Sequence, residues 1–307
     1  MVNPLRLLKH KLPSKHLEKI YSTFIIPVLD HGDILYQSCC VNSLSQLESI
    51  HYRAACCVSG AIRGSNTSKV LKNLNWETLA TRRQYHLNCY SYKVEKGLKP
   101  SYIQDILVDL QNADNRQERN TRNRQKYMLP ARISSRYKTS SSLSLVNNNN
   151  INTINTEIFK YDTFASFKRN QRSKLYPIHN RTPTTHLNLP IDEAKFLNRM
   201  RVGLCLKSHQ YAHNFASADD PKCQCGYRSQ SENHFFLDCP MTANTRAYLL
   251  RAYGALGIDA HYASLTKTNK IKFLLYGNST LTVNTNDKIL KATSEFITSH
   301  KNLLNLR

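Results

Sequence analysis

Cys223-Gln-Cys225-Gly226, followed by His234 and Cys239, sets three thiols and one imidazole in a C-x-C-x8-H-x4-C pattern. Zinc takes four tetrahedral thiolate or imidazole ligands, and a complete set from the protein marks a structural rather than a catalytic site. Pro221 and Gly226 punctuate a turn in which Cys223 and Cys225 can converge. His234 and Cys239, five residues apart, lie about one helical turn from each other. The alternative is four separately buried residues, because cysteine often packs as a small hydrophobe. Lys222, Gln224, Arg228, Gln230 and Asn233 surround the set, and such polar company argues against burial of all four in an apolar core. A structural Zn²⁺ is the expectation. Cys39, Cys40, Cys56, Cys57, Cys89 and Cys205 occur in or beside apolar helical stretches and read as core or surface thiols. Nine cysteines without an export signal suggest reduced thiols and an intracellular setting, nucleus or cytoplasm.

Paired carboxylates are the other group that could carry chemistry. Asp30-His-Gly-Asp33 places two acids three residues apart beside a glycine, and Asp219-Asp220 follows Phe215-Ala-Ser-Ala. A two-metal polymerase needs acids on rigid strands, holding cations about 3.5–4 Å apart. Neither pair has a flanking β-branched hairpin pattern, so both read as turn residues. None of the nine glycines is spaced as a phosphate-cradling loop. Catalysis by this chain alone is not expected.

The charge points elsewhere. Lys and Arg number 43 against 21 Asp and Glu, a formal net charge of +22, which suggests a polyanionic partner such as RNA or DNA. Residues 111–181 hold ten of those excess charges. Arg116, Arg119, Arg122, Arg124, Lys126, Arg132, Arg136 and Lys138 fall within 23 residues, with Glu118 the one acid among them. Ser/Asn-rich chain follows, around Ser140–Ser144 and Asn147–Asn152, with too little apolar content to pack. This stretch is either a solvated linker or a segment that tracks phosphates. Lys222 and Arg228 add phosphate-contact candidates beside the metal loop. Tyr227 and Phe235 are candidates for stacking on exposed bases, Phe235 alternatively belonging to the core. No membrane partner is expected: the most apolar stretch, Phe24 to Leu29, is six residues long and contains Pro27.

Helices must position these groups. Leu17, Ile20, Tyr21, Phe24 and Val28 follow helical spacing, with Pro27 placed to bend or close the segment. Ser43 and Gln46 form a capping-box signature ahead of Leu44, Leu47, Ile50, Ala54 and Val58. A third helix is predicted from near Trp76 to Lys96, through Leu79, Leu87, Tyr90 and Val94, with Gly97 and Pro100 as stop signals. Arg82 and Arg83 fall on the face away from that stripe, either touching phosphate or facing solvent.

At the level of whole motifs the chain resembles a known family. Lys195-Phe-Leu-Asn-Arg-Met-Arg-Val-Gly-Leu204, His209 to Phe215, Pro221-Lys-Cys-Gln-Cys-Gly226 and Glu232-Asn-His-Phe-Phe-Leu-Asp-Cys-Pro240 resemble the C-terminal zinc knuckle of non-LTR (LINE-type, jockey-like) retrotransposon reverse transcriptases. Ile26-Pro-Val-Leu-Asp-His-Gly32, Leu47-Glu-Ser-Ile-His-Tyr-Arg-Ala54 and Leu74-Asn-Trp-Glu-Thr-Leu-Ala-Thr-Arg-Arg83 are similar to the helical, thumb-like region that follows the polymerase palm in that family. Phe273-Leu-Leu-Tyr-Gly277 and Phe296-Ile297 are like its end. The resemblance implies fingers and a palm preceding Met1, with the catalytic acids there. It implies that this chain is a nucleic-acid-gripping C-terminal portion of an RNA-directed DNA polymerase, inactive by itself. The alternative is a stand-alone zinc-dependent interaction module derived from such an element, or a fragment without function.

The expected fold is mainly α. It comprises a small helical domain over 1–110, a basic, partly disordered linker over 111–156, a connector helix and CCHC zinc-knuckle region over 157–257, and a helical tail over 258–307.

Overall fold

The computed structural model describes residues 2–37, 39–102, 158, 160–175, 189–215 and 218–304. Among the described residues the structure is mainly α, without strands. None of these helices is long and apolar enough to cross a membrane. The chain divides into two compact units. The first combines Met1–Ile25, Ile50–Trp76 and Arg181–Arg307; the second combines Ile26–Ser49 and Glu77–Asn180.

Among the described residues, the first unit holds the larger core. Helices Ile191–Val202, Ala243–Ala255, Lys267–Tyr276 and Val283–Ser299 contribute Phe196, Leu197, Met200, Leu249, Tyr253, Phe273, Ile289, Phe296 and Ile297 to one buried cluster, together with Phe235 and Phe236. Thr266 and Thr282 start two of these helices by accepting the backbone N–H three residues on. The core is not wholly apolar. Arg201 lies 5% exposed, and its Nε donates to the Leu275 carbonyl at 2.7 Å. Its Nη1 donates to Asn73 Oδ1 at 2.9 Å, and Asn73 in turn donates to Asn198 Oδ1 at 2.8 Å. The guanidinium also lies 5.0 Å from the Tyr276 ring centroid. Burial lowers the Arg201 pKa to about 10, with the nearby Tyr276 opposing only part of that shift.

The first third departs from the sequence expectation at two places. The Ser14–Ile20 helix passes through a π-helical turn, Tyr21–Ile25, directly before Pro27, and continues as Ile26–Asp30. Proline disrupts the regular i to i−4 ladder, and a wider turn accommodates it. That turn moves the buried stripe onto Leu17, Tyr21, Ile25 and Leu29, leaving Phe24 71% and Val28 52% exposed. The second helix runs Val41–Ser59 and so begins before the Ser43–Gln46 pair. Ser43 Oγ lies 3.2 Å from Cys40 Sγ instead of serving as an N-cap.

In the second unit, the Leu79–Glu95 helix is capped by Thr78, whose hydroxyl accepts from Thr81 N at 3.1 Å. It ends at Lys96, where Gly97 takes φ +66 and Leu98 N donates to the Lys93 carbonyl. The Glu48 carboxylate adds to the start of this helix, accepting from Leu79 N at 3.2 Å and Ala80 N at 2.8 Å. Tyr92 stacks on Phe167 of the Phe164–Leu175 helix with ring centroids 4.6 Å apart, and Asn88 donates to Gln171 Oε1 at 2.9 Å.

Arg82 and Arg83 do not follow the sequence expectation of solvent or phosphate contact. Arg82 Nε donates to Asp30 Oδ1 at 3.1 Å, and Arg83 is buried, 3.7 Å from Glu48. Both acids come from segments far away in sequence.

Candidate metal centre

The knuckle begins with a tight loop. Cys223 N donates to the Tyr227 carbonyl at 2.9 Å and Gly226 N to the Cys223 carbonyl at 3.0 Å, with Gly226 at φ +88. An L side chain is strained at that φ, so glycine suits the position. The Asp220 carboxylate accepts from Lys222 N at 3.1 Å and so sets the turn leading in. Gln230 fastens the far side to the helical core. Its backbone N–H donates to the Pro221 carbonyl at 2.8 Å, its Oε1 accepts from Lys207 N, and its Nε2 donates to the Leu303 carbonyl. This glutamine is fully buried.

His234 and Cys239 are delivered by a π-helical turn, His234–Asp238, that ends at Cys239. The Ser231 hydroxyl accepts from His234 N at its start. At its end Thr242 Oγ1 donates to the Phe235 and Cys239 carbonyls at 3.0 and 3.1 Å, and Arg246 Nη1 donates to the Cys239 carbonyl at 3.2 Å. Phe235 and Phe236 anchor the turn in the core, each stacking or edging against Phe296.

The four side chains meet. Cys223, Cys225, His234 and Cys239 bring one ligand atom each to within 4.8 Å of one another. Cys223 Sγ and Cys239 Sγ are 3.9 Å apart, and Cys225 Sγ is 3.2 Å from His234 Nε2. Tetrahedral ligands at about 2.3 Å from a zinc ion lie about 3.8 Å from one another, so these separations fit a four-coordinate ion. Cys223, His234 and Cys239 are buried and Cys225 is half-buried. Burial, reinforced by neighbouring Cys223, pushes the Cys239 thiol up to about 11. Burial also pushes the Cys225 thiol up, but hydrogen bonds from the Tyr227 backbone and the two other thiols outweigh it and hold that pKa below the ordinary value. Burial lowers the His234 pKa, keeping the imidazole in its ligating, neutral form. This cluster could hold a metal ion.

The other sequence candidates are distributed unevenly. Lys222 and Arg228 are exposed on the knuckle. Arg116, Arg119, Arg122, Arg124, Lys126, Arg132 and Arg136 lie outside the described residues. Phe235 is 1% exposed and belongs to the core, which removes it as a stacking platform for bases. Tyr227 stacks one face on the His234 ring, centroids 4.3 Å apart and 7° from parallel. Asp219 and Asp220 are exposed loop residues.

In the second unit Asp30, Asp33 and His86 also gather within 4.8 Å. There Asp33 pairs with His86, and Asp30 with Arg82, so the guanidinium already supplies a cation to the grouping. The sequence carries no local sign of this cluster because Arg82 and His86 lie 52 and 53 residues downstream of their partners Asp30 and Asp33.

Comparisons with models of protein families, with curated proteins and with solved structures find no match for this chain.

Proposed function

We propose that this chain is the nucleic-acid-binding C-terminal portion of a reverse transcriptase of the non-LTR retrotransposon type, with a structural zinc ion held by Cys223, Cys225, His234 and Cys239. The observation that carries the reading is the convergence of those four ligands on a loop that also presents Lys222 and Arg228, in a chain of net charge +22. Three sulfurs and one neutral imidazole form a donor set suited to zinc. Zinc bound there would cross-link the Cys223–Tyr227 loop to the His234–Asp238 turn and supply no reaction chemistry. The loop's own residues then hold two cationic side chains at fixed positions beside the site, where a phosphate backbone can meet them. RNA and DNA are the proposed partners. Metal content of the purified chain tests the cofactor. Binding of labelled RNA and DNA over a series of salt concentrations tests the partner, and absence of binding even in low salt would overturn the reading.

A further inference from the structure

The first unit carries a further concentration of positive charge, in sequence segments that include neither the knuckle nor the basic connector. Its segments 1–25 and 50–76 contain nine Lys and Arg against one acid, Glu18, which accepts from the Trp76 indole N–H. Part of this charge is gathered around a cavity. Arg6 and Lys9 of the Asn3–Leu8 helix and its end, Arg53 with Cys56 and Cys57 of the Val41–Ser59 helix, and Arg63 beyond it line a pocket of about 310 Å³. The lining contains no carboxylate. A neighbouring cavity of about 60 Å³ shares Lys9, Cys56 and Cys57 and adds Lys195 and Arg199. Lys195 is buried enough, and close enough to Arg199 and Lys9, for its pKa to fall.

We propose that this pocket binds a phosphate-bearing ligand of about nucleotide size, gripped by Arg6, Lys9, Arg53 and Arg63. Four like charges line one cavity, and an anion of two or more charges placed there is attracted to all of them at once. Ligand sites run from roughly 300 to 1,000 Å³, so this volume fits a single nucleotide unit better than a duplex. Arginine donors match phosphate oxygens in bidentate geometry. The phosphate can come from a free nucleotide or from a nucleic-acid strand. The inference does not rest on the zinc reading, since no residue is shared with the cysteine cluster.

Cys56 and Cys57 supply a reporter inside the pocket. Burial raises both thiols, with Arg6 and Lys9 pulling Cys57 back down, so alkylation at mildly alkaline pH is slow enough to follow. Alkylation of these two residues in the full chain, resolved by peptide mass spectrometry, would be measured with four probes. These are adenosine 5′-monophosphate, inorganic phosphate, and a ten-nucleotide strand with a 5′-phosphate or a 5′-hydroxyl.

The phosphate-bearing probes should slow the reaction. Protection by the mononucleotide assigns a free nucleotide. Protection by the 5′-phosphorylated strand alone assigns a strand end, and equal protection by both strands assigns an internal phosphodiester. Arg6, Arg53 and Arg63 are exposed, so an Arg6→Gln, Arg53→Gln, Arg63→Gln variant should melt as the parent does. It should lose about tenfold or more in affinity, as expected when charged hydrogen bonds are removed. A control variant, Lys11→Gln, Lys15→Gln, Lys19→Gln, removes the same charge outside the pocket and should keep protection. No slowing by any probe, or equal loss in the control variant, overturns the proposal.

Discussion

The Cys239 backbone N–H donates to the His234 carbonyl at 2.6 Å, closing a turn five residues wide. In an α-helix residues five apart point about 140° away from each other. An i to i+5 turn returns them toward the same side, and such turns recur at functional sites. The π-helical turn is therefore what lets His234 Nε2 and Cys239 Sγ join Cys223 and Cys225 in one cluster.

The cluster should bind one metal ion per chain, with zinc preferred. Elemental analysis should find about one zinc per chain in the parent and close to none in Cys239→Ser. Because thiolates are the ligands, protons compete with the metal, and affinity should fall as pH falls. Chelation should loosen 221–240, read as faster amide exchange there, while Gln230 and Phe236 still tie its edges to the core. Full zinc occupancy in Cys239→Ser would refute the assignment of that ligand.

Arg201 offers a test of the core that is independent of metal. Arg201→Met fills similar space but removes the Arg201 hydrogen bonds to the Asn73 side-chain oxygen and the Leu275 carbonyl. A buried acceptor stripped of a charged donor costs about 1–3 kcal/mol, so a loss of about 3 kcal/mol is expected for the two. Denaturant unfolding measures it. A value near zero would mean that the network is no more favourable than an apolar replacement, as happens for some buried ionic groups.

Glu48 and the Leu79–Glu95 helix give a graded pair of variants. Glu48→Ala removes the acceptor for Leu79 N and Ala80 N and should cost about 1 kcal/mol, the usual scale of a cap. Glu48→Gln keeps an acceptor and loses the charge at the helix start and beside Arg83, so about half of that loss is expected. Thermal melts in low and high salt separate the two effects, because only the charge contribution is screened.

The local features of this molecule were legible in the sequence, and the long-range ones were not. The Cys223–Cys239 set lies within seventeen residues, so ligand type and proximity pointed to its convergence, but the π-helical turn that brings His234 and Cys239 to the same side replaces the ordinary helical turn that the spacing suggested. The helix over Leu79–Glu95 was readable because Leu79, Leu87, Val94 and Gly97 are all local signals, although the start expected near Trp76 falls at Leu79 behind the Thr78 cap. Phe24 and Val28 were misplaced because a π-helical turn shifts the stripe by a step that regular helical spacing does not contain. Arg83, four residues from both Leu79 and Leu87, lies on the buried stripe itself, a local signal that the assignment of both arginines to the outer face overlooked. Arg82 looked solvent-facing because its partner Asp30 is 52 residues away. The Arg6–Arg63 pocket left no sequence signal for the same reason: its walls come from two helices separated by the second unit's first segment.

The basic connector and the knuckle should contribute differently to nucleic-acid binding. Neutralising phosphates releases condensed counterions, so about six phosphate contacts give a log–log salt slope of about −4 to −5, depending on strandedness. Replacing Arg119, Arg122, Arg124 and Lys126 with Gln removes four candidate contacts and should flatten that slope by about three units, with similar weakening for all sequences. Replacing Lys222 and Arg228 with Gln should flatten it by no more than about two. Tyr227 already lies against His234, so Tyr227→Ala should lower zinc retention as well as any stacking on a base, which is worth about 1–3 kcal/mol. Fluorescence anisotropy with single-stranded RNA and DNA across several salt concentrations reads all three variants. An unchanged slope in the fourfold Gln variant would assign the connector to solvent and leave the charges of the helical units as the nucleic-acid interface.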